Sequence, residues 1–467
     1  MTMPYSRVSA LAKYFAIGFG VAALLGATRL IFLCAPVSTD PDEGWNAVHA
    51  VLALKGGALY PHGAGLIYTN YPPLSFLLVG LLGKLTGDMI IAGRLWALCG
   101  VSCTAFWVWW IGWRLTRNRL AASGALLLFA LYNVTICRSY FVMDDPQWLG
   151  QSVALAGLAL LMPSARPFPA DWRLGVAACL FVVAGFFKQN LVGVPLAITI
   201  WLALESRHGL MIWLLGACVS LAMAFAICGA IWGMPFFQDI FLTPRLYMVS
   251  RAGARSWHFL LDISPMLLGA CYLLRFRHED FRLRLLLLCA LTTLITGIIE
   301  RGGIGVSINA YFEALTVFCV LSGVVLAREI SAWKWLALPF ILLMPSASWQ
   351  AWQDITRYPG HLAAFKAMEA QIQAQPGPVV CGDLAYCYWA GQGYRLDFFL
   401  YGQQVLTTKT NKTLRDAVAN GRISAAQLTL YPSMHLDDPL SALLMQWHAK
   451  IIYRQGDQVL IGFSPRS

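Results

Sequence analysis

Charge is what this sequence has least of. Of its 467 residues 12% are Asp, Glu, Lys or Arg, while 58% are hydrophobic; ordinary soluble domains carry roughly 25% charged residues. So little charge excludes a soluble enzyme, because the apolar residues gather in runs long enough to cross a bilayer. The formal charge of +11 would suit a nucleic-acid partner. However, the Lys and Arg residues stand between apolar runs and not in a stripe on a soluble domain, which assigns them to membrane topology and leaves no nucleic-acid role. There is no CxxC and no His/Cys cluster. The cysteines lie mostly inside apolar segments (Cys99, Cys103, Cys179, Cys228, Cys289), where they read as small buried hydrophobes and not as metal ligands. The chain also lacks an internal repeat, a low-complexity tract and a clear small-residue cleavage site behind its first apolar run. That run, preceded by Arg7 and Lys13, is therefore expected to stay as an uncleaved first helix.

What is present is a series of apolar runs bounded by charge. They predict an α-helical polytopic membrane protein of about eleven transmembrane helices, at 12–34, 89–113, 120–137, 146–162, 173–187, 190–205, 209–232, 257–275, 284–299, 307–327 and 333–348. The run 72–87 is short and broken by Gly80, Gly83, Lys84 and Gly87, and is expected to lie flat at the surface. With it flat, one set of loops collects Arg114, Arg117, Arg119, Arg166, Arg173, Arg207, Arg275, Arg277, Arg282, Arg284, Arg328 and Lys334 on the side of the N-terminus, which is then cytoplasmic. The outer side receives the loops 35–88, 138–146 and 233–256, and a tail from about 350. The tail carries strand-like runs at 378–381, 426–431 and 458–463 and a helix-like run near 412–420. The expected organisation is a transmembrane part over 1–349 and a small C-terminal extracytoplasmic α/β domain over 350–467. Cys381 and Cys387 would lie in an oxidising compartment, as a disulfide or as two thiols in a packed core.

The ionisable residues gather at one face. Arg29, Arg94, Asp262 and Glu313 sit in the outer turns of their spans, and the inner halves are nearly free of charge, unlike a pump or channel. Two acidic pairs stand at the tops of early spans. Asp42-Glu43 follows the first span within Ser38-Thr39-Asp40-Pro41-Asp42-Glu43-Gly44-Trp45, and Asp144-Asp145 lies in Tyr140-Phe141-Val142-Met143-Asp144-Asp145-Pro146-Gln147. A carboxylate there has the chemistry to deprotonate a hydroxyl, and a second to orient the acceptor or hold a divalent cation such as Mg or Mn. Outer loops should be poor in cations, yet Lys84, Arg94, Arg138, Lys188, Arg245, Arg251, Arg255 and Arg301 all fall there. A phosphate at the membrane surface would explain them; a lipid headgroup contact is the plainer alternative for any one.

In order and spacing these residues resemble the C-type-fold membrane glycosyltransferases that use lipid-phosphate sugars, particularly the bacterial relatives of protein O-mannosyltransferases and lipid A aminoarabinose transferases. The matching positions are Asp42-Glu43, Lys55-Gly56-Gly57-Ala58-Leu59-Tyr60, Tyr71-Pro72-Pro73-Leu74, Arg94, and Asp144 or Asp145, spread over roughly residues 12–190. The resemblance implies transfer of a sugar from a polyprenyl-phosphate carrier to a lipid, glycan or protein acceptor, at the outer face of a bacterial inner membrane. It implies acid–base work by Asp42 with Glu43 beside it, and leaves the metal unspecified. Lys84, Arg94, Arg138, Lys188 and Arg301 are the expected phosphate ligands, with Tyr60 and Tyr71 at the acceptor or sugar pocket and 72–87 as its floor. A flippase or transporter for a lipid-linked glycan, or a glycan ligase or polymerase, is the competing class. A transporter would need polar residues through the middle of the bundle and often carries inverted repeats.

Overall fold

A computed structural model describes residues 5–55, 59–61, 65–162, 171–431, 436, 438–447 and 449–463. Gly56, Gly57, Ala58 and Arg166, and the side chain of Arg7, lie outside the described residues.

The first half runs α1 (Tyr5–Leu30), α2 (Pro41–Ala53), α3 (Leu74–Thr86), α4 (Met89–Thr116), α5 (Arg119–Val134), α6 (Gln147–Leu160), α7 (Asp171–Phe187) and α8 (Gly193–Glu205). It continues with α9 (Arg207–Trp232), α10 (Met234–Leu242), α11 (Val249–Asp262), α12 (Ser264–Leu273), α13 (Phe281–Glu300), α14 (Phe312–Arg328), α15 (Trp333–Leu336) and α16 (Leu338–Gln373). The helices begin where sequence says they should: Asp40, Asp88 and Asn118 cap α2, α4 and α5 by accepting backbone N–H groups of the first turn. Among the described residues, six helices are long and apolar enough to cross a membrane, or seven if a bent pair counts as one. α14 is the hub, buried along nearly its whole length, whereas α9 is mostly exposed, as a lipid-facing helix would be.

This differs from eleven full spans in a consistent way. Every expected span is helical, but α5, α6, α7 and α8 have only 16, 14, 17 and 13 residues. At 1.5 Å per residue such helices fall short of a ~30 Å hydrocarbon layer. At one end they open into the stretches that carry Arg138, Asp144, Asp145 and Lys188. Irregular backbone at that depth is tolerated where it is buried in protein or lines a cavity. The expected span 257–275 is broken as well: α11 and the following helix to Phe276 meet at 75°, with Pro265 in the first turn of α12, where its missing N–H costs nothing. α3 packs between α2 and α4 and ends at Gly87 in the left-handed conformation.

The C-terminal part comprises β1 (Val379–Cys381), α17 (Leu384–Trp389), α18 (Phe398–Thr408), α19 (Lys412–Ala419), β2 (Ala425–Thr429), α20 (Pro439–Met445), β3 (Lys450–Gln455) and β4 (Gln458–Gly462). The sheet order is β1-β2-β4-β3, with β1 parallel to β2 and the other pairs antiparallel. The boundary expected at 349/350 falls inside α16, a continuous 36-residue helix. Its early residues Leu338, Ile341 and Leu342 are exposed, while Phe365, Met368 and Ile372 pack into a core with Val379, Cys381 and Ala385. One continuous helix thus joins the apolar bundle to the sheet.

Candidate active site

A cavity of about 380 Å³ lies where one end of the bundle meets the C-terminal domain. Several parts of the chain build it, Gly305, Val306 and Ser307 ahead of α14 among them. The start of α2 gives Asp40, Pro41, Asp42, Trp45 and Asn46, and the nearby loops give Asn70, Tyr71, Ser139, Tyr140 and Asp145. The segment before and within α11 gives Arg245, Arg251 and Arg255. The C-terminal domain gives Gly382, Asp383, Phe398, Phe399, Leu400, Thr429, Tyr431 and Asp438.

The carboxylates differ in how far they are already engaged. Asp40 caps α2 by accepting from the Asp42 N–H at 3.0 Å. Asp383 accepts from Ala385 N–H at 2.9 Å, and Asp438 from Ser441 N–H at 3.1 Å. Asp145 accepts from Gln147 N–H and from the Lys188 ammonium, each at 2.7 Å. Asp42 projects into the cavity, and among the described residues its carboxylate accepts no hydrogen bond. It meets cavity water yet is walled in by protein. Enclosure, reinforced by the Asp145 charge and opposed by Lys188 and Arg245, pushes its carboxyl up to about 6. Such a group is ionised near neutral pH and still basic enough to take a proton.

The opposite wall is cationic. α11 buries Ala252, Ser256 and Phe259, at helical spacing, against the bundle. That register sets Arg251 and Arg255 one turn apart on the flank facing the cavity. Arg245 joins them, its guanidinium 5.3 Å over the Phe399 ring. Arg301 lies close behind: burial and the neighbouring Arg255 push its guanidinium down. Arg251 and Arg255 thus set two guanidinium groups at i, i+4 on one wall, the group that pairs most strongly with phosphate oxygens.

The residues expected at the site separate into two groups. Asp42, Asp145 and Tyr71 line the cavity, and Lys188 stands just behind, bonded to Asp145 and 5.1 Å over the Tyr71 ring. The others are engaged elsewhere. Arg94 is fully buried, and its guanidinium donates to both oxygens of Glu43 and to the carbonyls of Phe32, Ala35 and Val37. With those donors occupied it has nothing to offer a phosphate. Glu43 also accepts from Thr39 N–H and Asp144 N–H, which leaves no oxygen for an acceptor. Arg138 bridges Asp354, Thr28 and the Leu25 carbonyl, tying α1 to α16. Arg301 donates to the Val306 carbonyl and is not in the wall. Lys84 is exposed at the end of α3, and α3 contributes no wall to the cavity, so 72–87 is not its floor. Tyr60 is buried against Trp232 and Phe236 and donates to the Tyr71 carbonyl, supporting Tyr71 from behind.

Asp144 is packed against Gly93, where a Cβ would stand 1.9 Å from its carboxylate. Of the adjacent acids it is Asp145 that reaches the cavity. Among the described residues no group of three or more His, Cys, Asp or Glu is arranged to hold a metal ion. Arg245, Arg251 and Arg255, counted among the outer-side cations but not among the expected phosphate ligands, form the cationic wall, and the contribution of residues 382–438 was missed. The i, i+4 spacing of Arg251 and Arg255 on an otherwise small-residue face was the available signal.

No protein-family model matches the sequence, and no curated protein does. Among solved structures, ArnT from Cupriavidus metallidurans in the apo state is similar with a TM-score of 0.64 and 14% identity, over 96% of this chain and 98% of that one. ArnT of the same organism bound to undecaprenyl phosphate is similar with a TM-score of 0.63 and 13% identity, over 97% and 98%. ArnT is a lipid A aminoarabinose transferase of the C-type membrane glycosyltransferase fold. The likeness runs through the bundle and the C-terminal domain alike, so this chain has the ArnT fold, in keeping with the resemblance carried by its first half.

Proposed function

We propose that this protein is a membrane glycosyltransferase that moves a sugar from a polyprenyl-phosphate carrier to a hydroxyl of a lipid, glycan or protein acceptor. The observation that carries the reading is the two-sided cavity: the unengaged carboxylate of Asp42 on one wall and Arg245, Arg251 and Arg255 on the other. The similarity to a structure bound to undecaprenyl phosphate supports the choice of carrier.

The reaction is a single displacement. The acceptor oxygen attacks the anomeric carbon while the bond from that carbon to the phosphate oxygen breaks, and the phosphate leaves with the bonding pair. Asp42 takes the acceptor's proton. The leaving phosphate needs no general acid, because the arginines stabilise the charge that develops on it, in an enclosed site where such stabilisation is strongest. Asp145, neutralised by Lys188, keeps that ammonium beside Tyr71 and adds little net charge near Asp42. Trp45, Tyr71, Tyr140 and Phe399 offer ring faces and edges to a sugar or to the first isoprene units.

The site lies at the outer, periplasmic face of a bacterial inner membrane in this reading. A disulfide between Cys381 and Cys387, in the domain that closes the cavity, suits that compartment. The test is a purified-protein assay in which labelled sugar is offered either on polyprenyl phosphate or on a nucleotide. Transfer from the lipid carrier alone supports the reading, and transfer from the soluble nucleotide sugar without any lipid carrier overturns it.

A further inference from the structure

The loop closed by the Cys381–Cys387 disulfide lies against the helix that carries Asp42. Gly44, in the first turn of α2, meets the backbone of this loop so closely that a Cβ would stand 2.0 Å from Ala385 N and 2.4 Å from the Leu384 carbonyl carbon. Ser38, just ahead of α2, donates to the Asp40 carbonyl at 3.0 Å and so fixes the turn that enters the helix. The same loop exposes Gly382 and Asp383 to the cavity. Its far end holds the start of α4: the Tyr388 hydroxyl accepts from Met89 N–H at 2.7 Å, and the Trp389 indole donates to Asp88, the α4 cap, at 2.7 Å. Five residues into α4 stands Arg94, which grips Glu43 beside Asp42. One small piece of the C-terminal domain therefore holds both helices that fix the position of Asp42.

That piece is weak by itself. α17 has six residues, well below the ~12–15 at which isolated helices become even marginal in water. The disulfide ties its fourth residue back to the end of β1, and both cysteines are buried. Asp383 caps its first turn.

We infer that the Cys381–Cys387 bond is a positioning device for the active site, holding α17 as the rigid surface against which the Asp42 end of α2 is set. This deepens the glycosyltransferase reading and rests on it for its kinetic consequence. The arginine wall stands on other elements and is not held by this loop, so loosening the loop should misplace the base while leaving donor binding alone.

Two full-length variants test the inference: the pair Cys381→Ala with Cys387→Ala, and Gly44→Ala with the disulfide intact. Hydrogen exchange is followed at the amides of α2 and of β2 and β4, together with turnover and the donor KM. The expected result is exchange in the first turns of α2 faster by about tenfold or more, with β2 and β4 unchanged. Turnover should fall by roughly tenfold to a hundredfold, as expected for a displacement of about 1 Å, with donor KM within about twofold. Exchange in α2 unchanged in both variants overturns the inference, as does equal loss of protection in the sheet, which would make the bond a general staple of the domain. If the paired variant fails to fold, Gly44→Ala carries the test. If the parent shows no glycosyl transfer, the functional reading fails but the exchange result still decides the inference.

Discussion

Arg94 and Glu43 form a buried two-pronged ion pair beneath the cavity, with Arg94 Nε 2.7 Å from Glu43 Oε1 and Nη2 2.7 Å from Oε2. Neither side chain is exposed. Arg94 also gathers three carbonyls of the 32–37 turn, so it holds the chain entering α2. Replacing either partner strands the other as an uncompensated buried charge, at a cost of about 3–5 kcal/mol. Arg94→Ala and Glu43→Gln should each lower unfolding stability in detergent, and the double variant should lose much less than the sum. Additive losses would show that the two do not act as a pair.

The cationic wall gives a different signature. A charge-assisted hydrogen bond to phosphate is worth about 1.5–3 kcal/mol, or roughly tenfold to a hundredfold in affinity. Arg251→Gln and Arg255→Gln should weaken binding of a polyprenyl phosphate by that order, and Arg255→Gln should do so with stability little changed. Arg277→Gln, which does not line the cavity, should leave it unaltered. Titration with the carrier lipid measures this directly, and equal effects at 255 and 277 would remove the wall from the site.

Acidity provides a third test. Asp42 acts as a base only when ionised, and its carboxyl is held up to about 6 by enclosure and by the Asp145 charge. Turnover should therefore fall about tenfold per pH unit below about 6 and level off above it. Asp145→Asn removes a negative neighbour and leaves Lys188 uncompensated. Both changes favour the ionised form of Asp42, so the acidic limb should move to lower pH. A limb that stays in place or moves upward would contradict the arrangement.

Gly93 faces the Asp144 carboxylate with no room for a Cβ. Gly93→Ala should drive α4 and the 143–146 turn apart, lowering both stability and turnover. Gly175, beside which a Cβ would meet nothing within 4 Å, serves as the control, and Gly175→Ala should be near neutral. Thermal unfolding of the two variants compares them.

Much of this could be read in the chain. Apolar runs located the helices, and of the acidic pair after the first of them Asp42 lines the cavity while Glu43 is buried against Arg94. The strand runs of the tail also appear, apart from β3, whose outward residues Lys450 and Arg454 break the apolar pattern. Which charges reach the cavity was not legible. The charge pattern assigns Arg94 and Arg251 to the same side, but does not tell that Glu43 has already taken the first. Ion pairing across 51 residues is a property of the packed helices. The ends of α5, α6 and α8 were hidden for a related reason: their apolar runs continue past the helix ends into loops, and hydropathy does not distinguish helix from loop, whereas α7 covers its whole run.

The account stands or falls on Asp42. Asp42→Asn keeps the shape of the side chain and removes only its capacity to take a proton. In purified protein supplied with a polyprenyl-phosphate sugar, it should bind the carrier as the parent does and unfold at the same temperature. Its turnover should be lower by roughly 10²–10⁴-fold, the contribution expected of a general base. Turnover within a few-fold of the parent, at unchanged carrier affinity, would contradict the account and place the base elsewhere in the cavity.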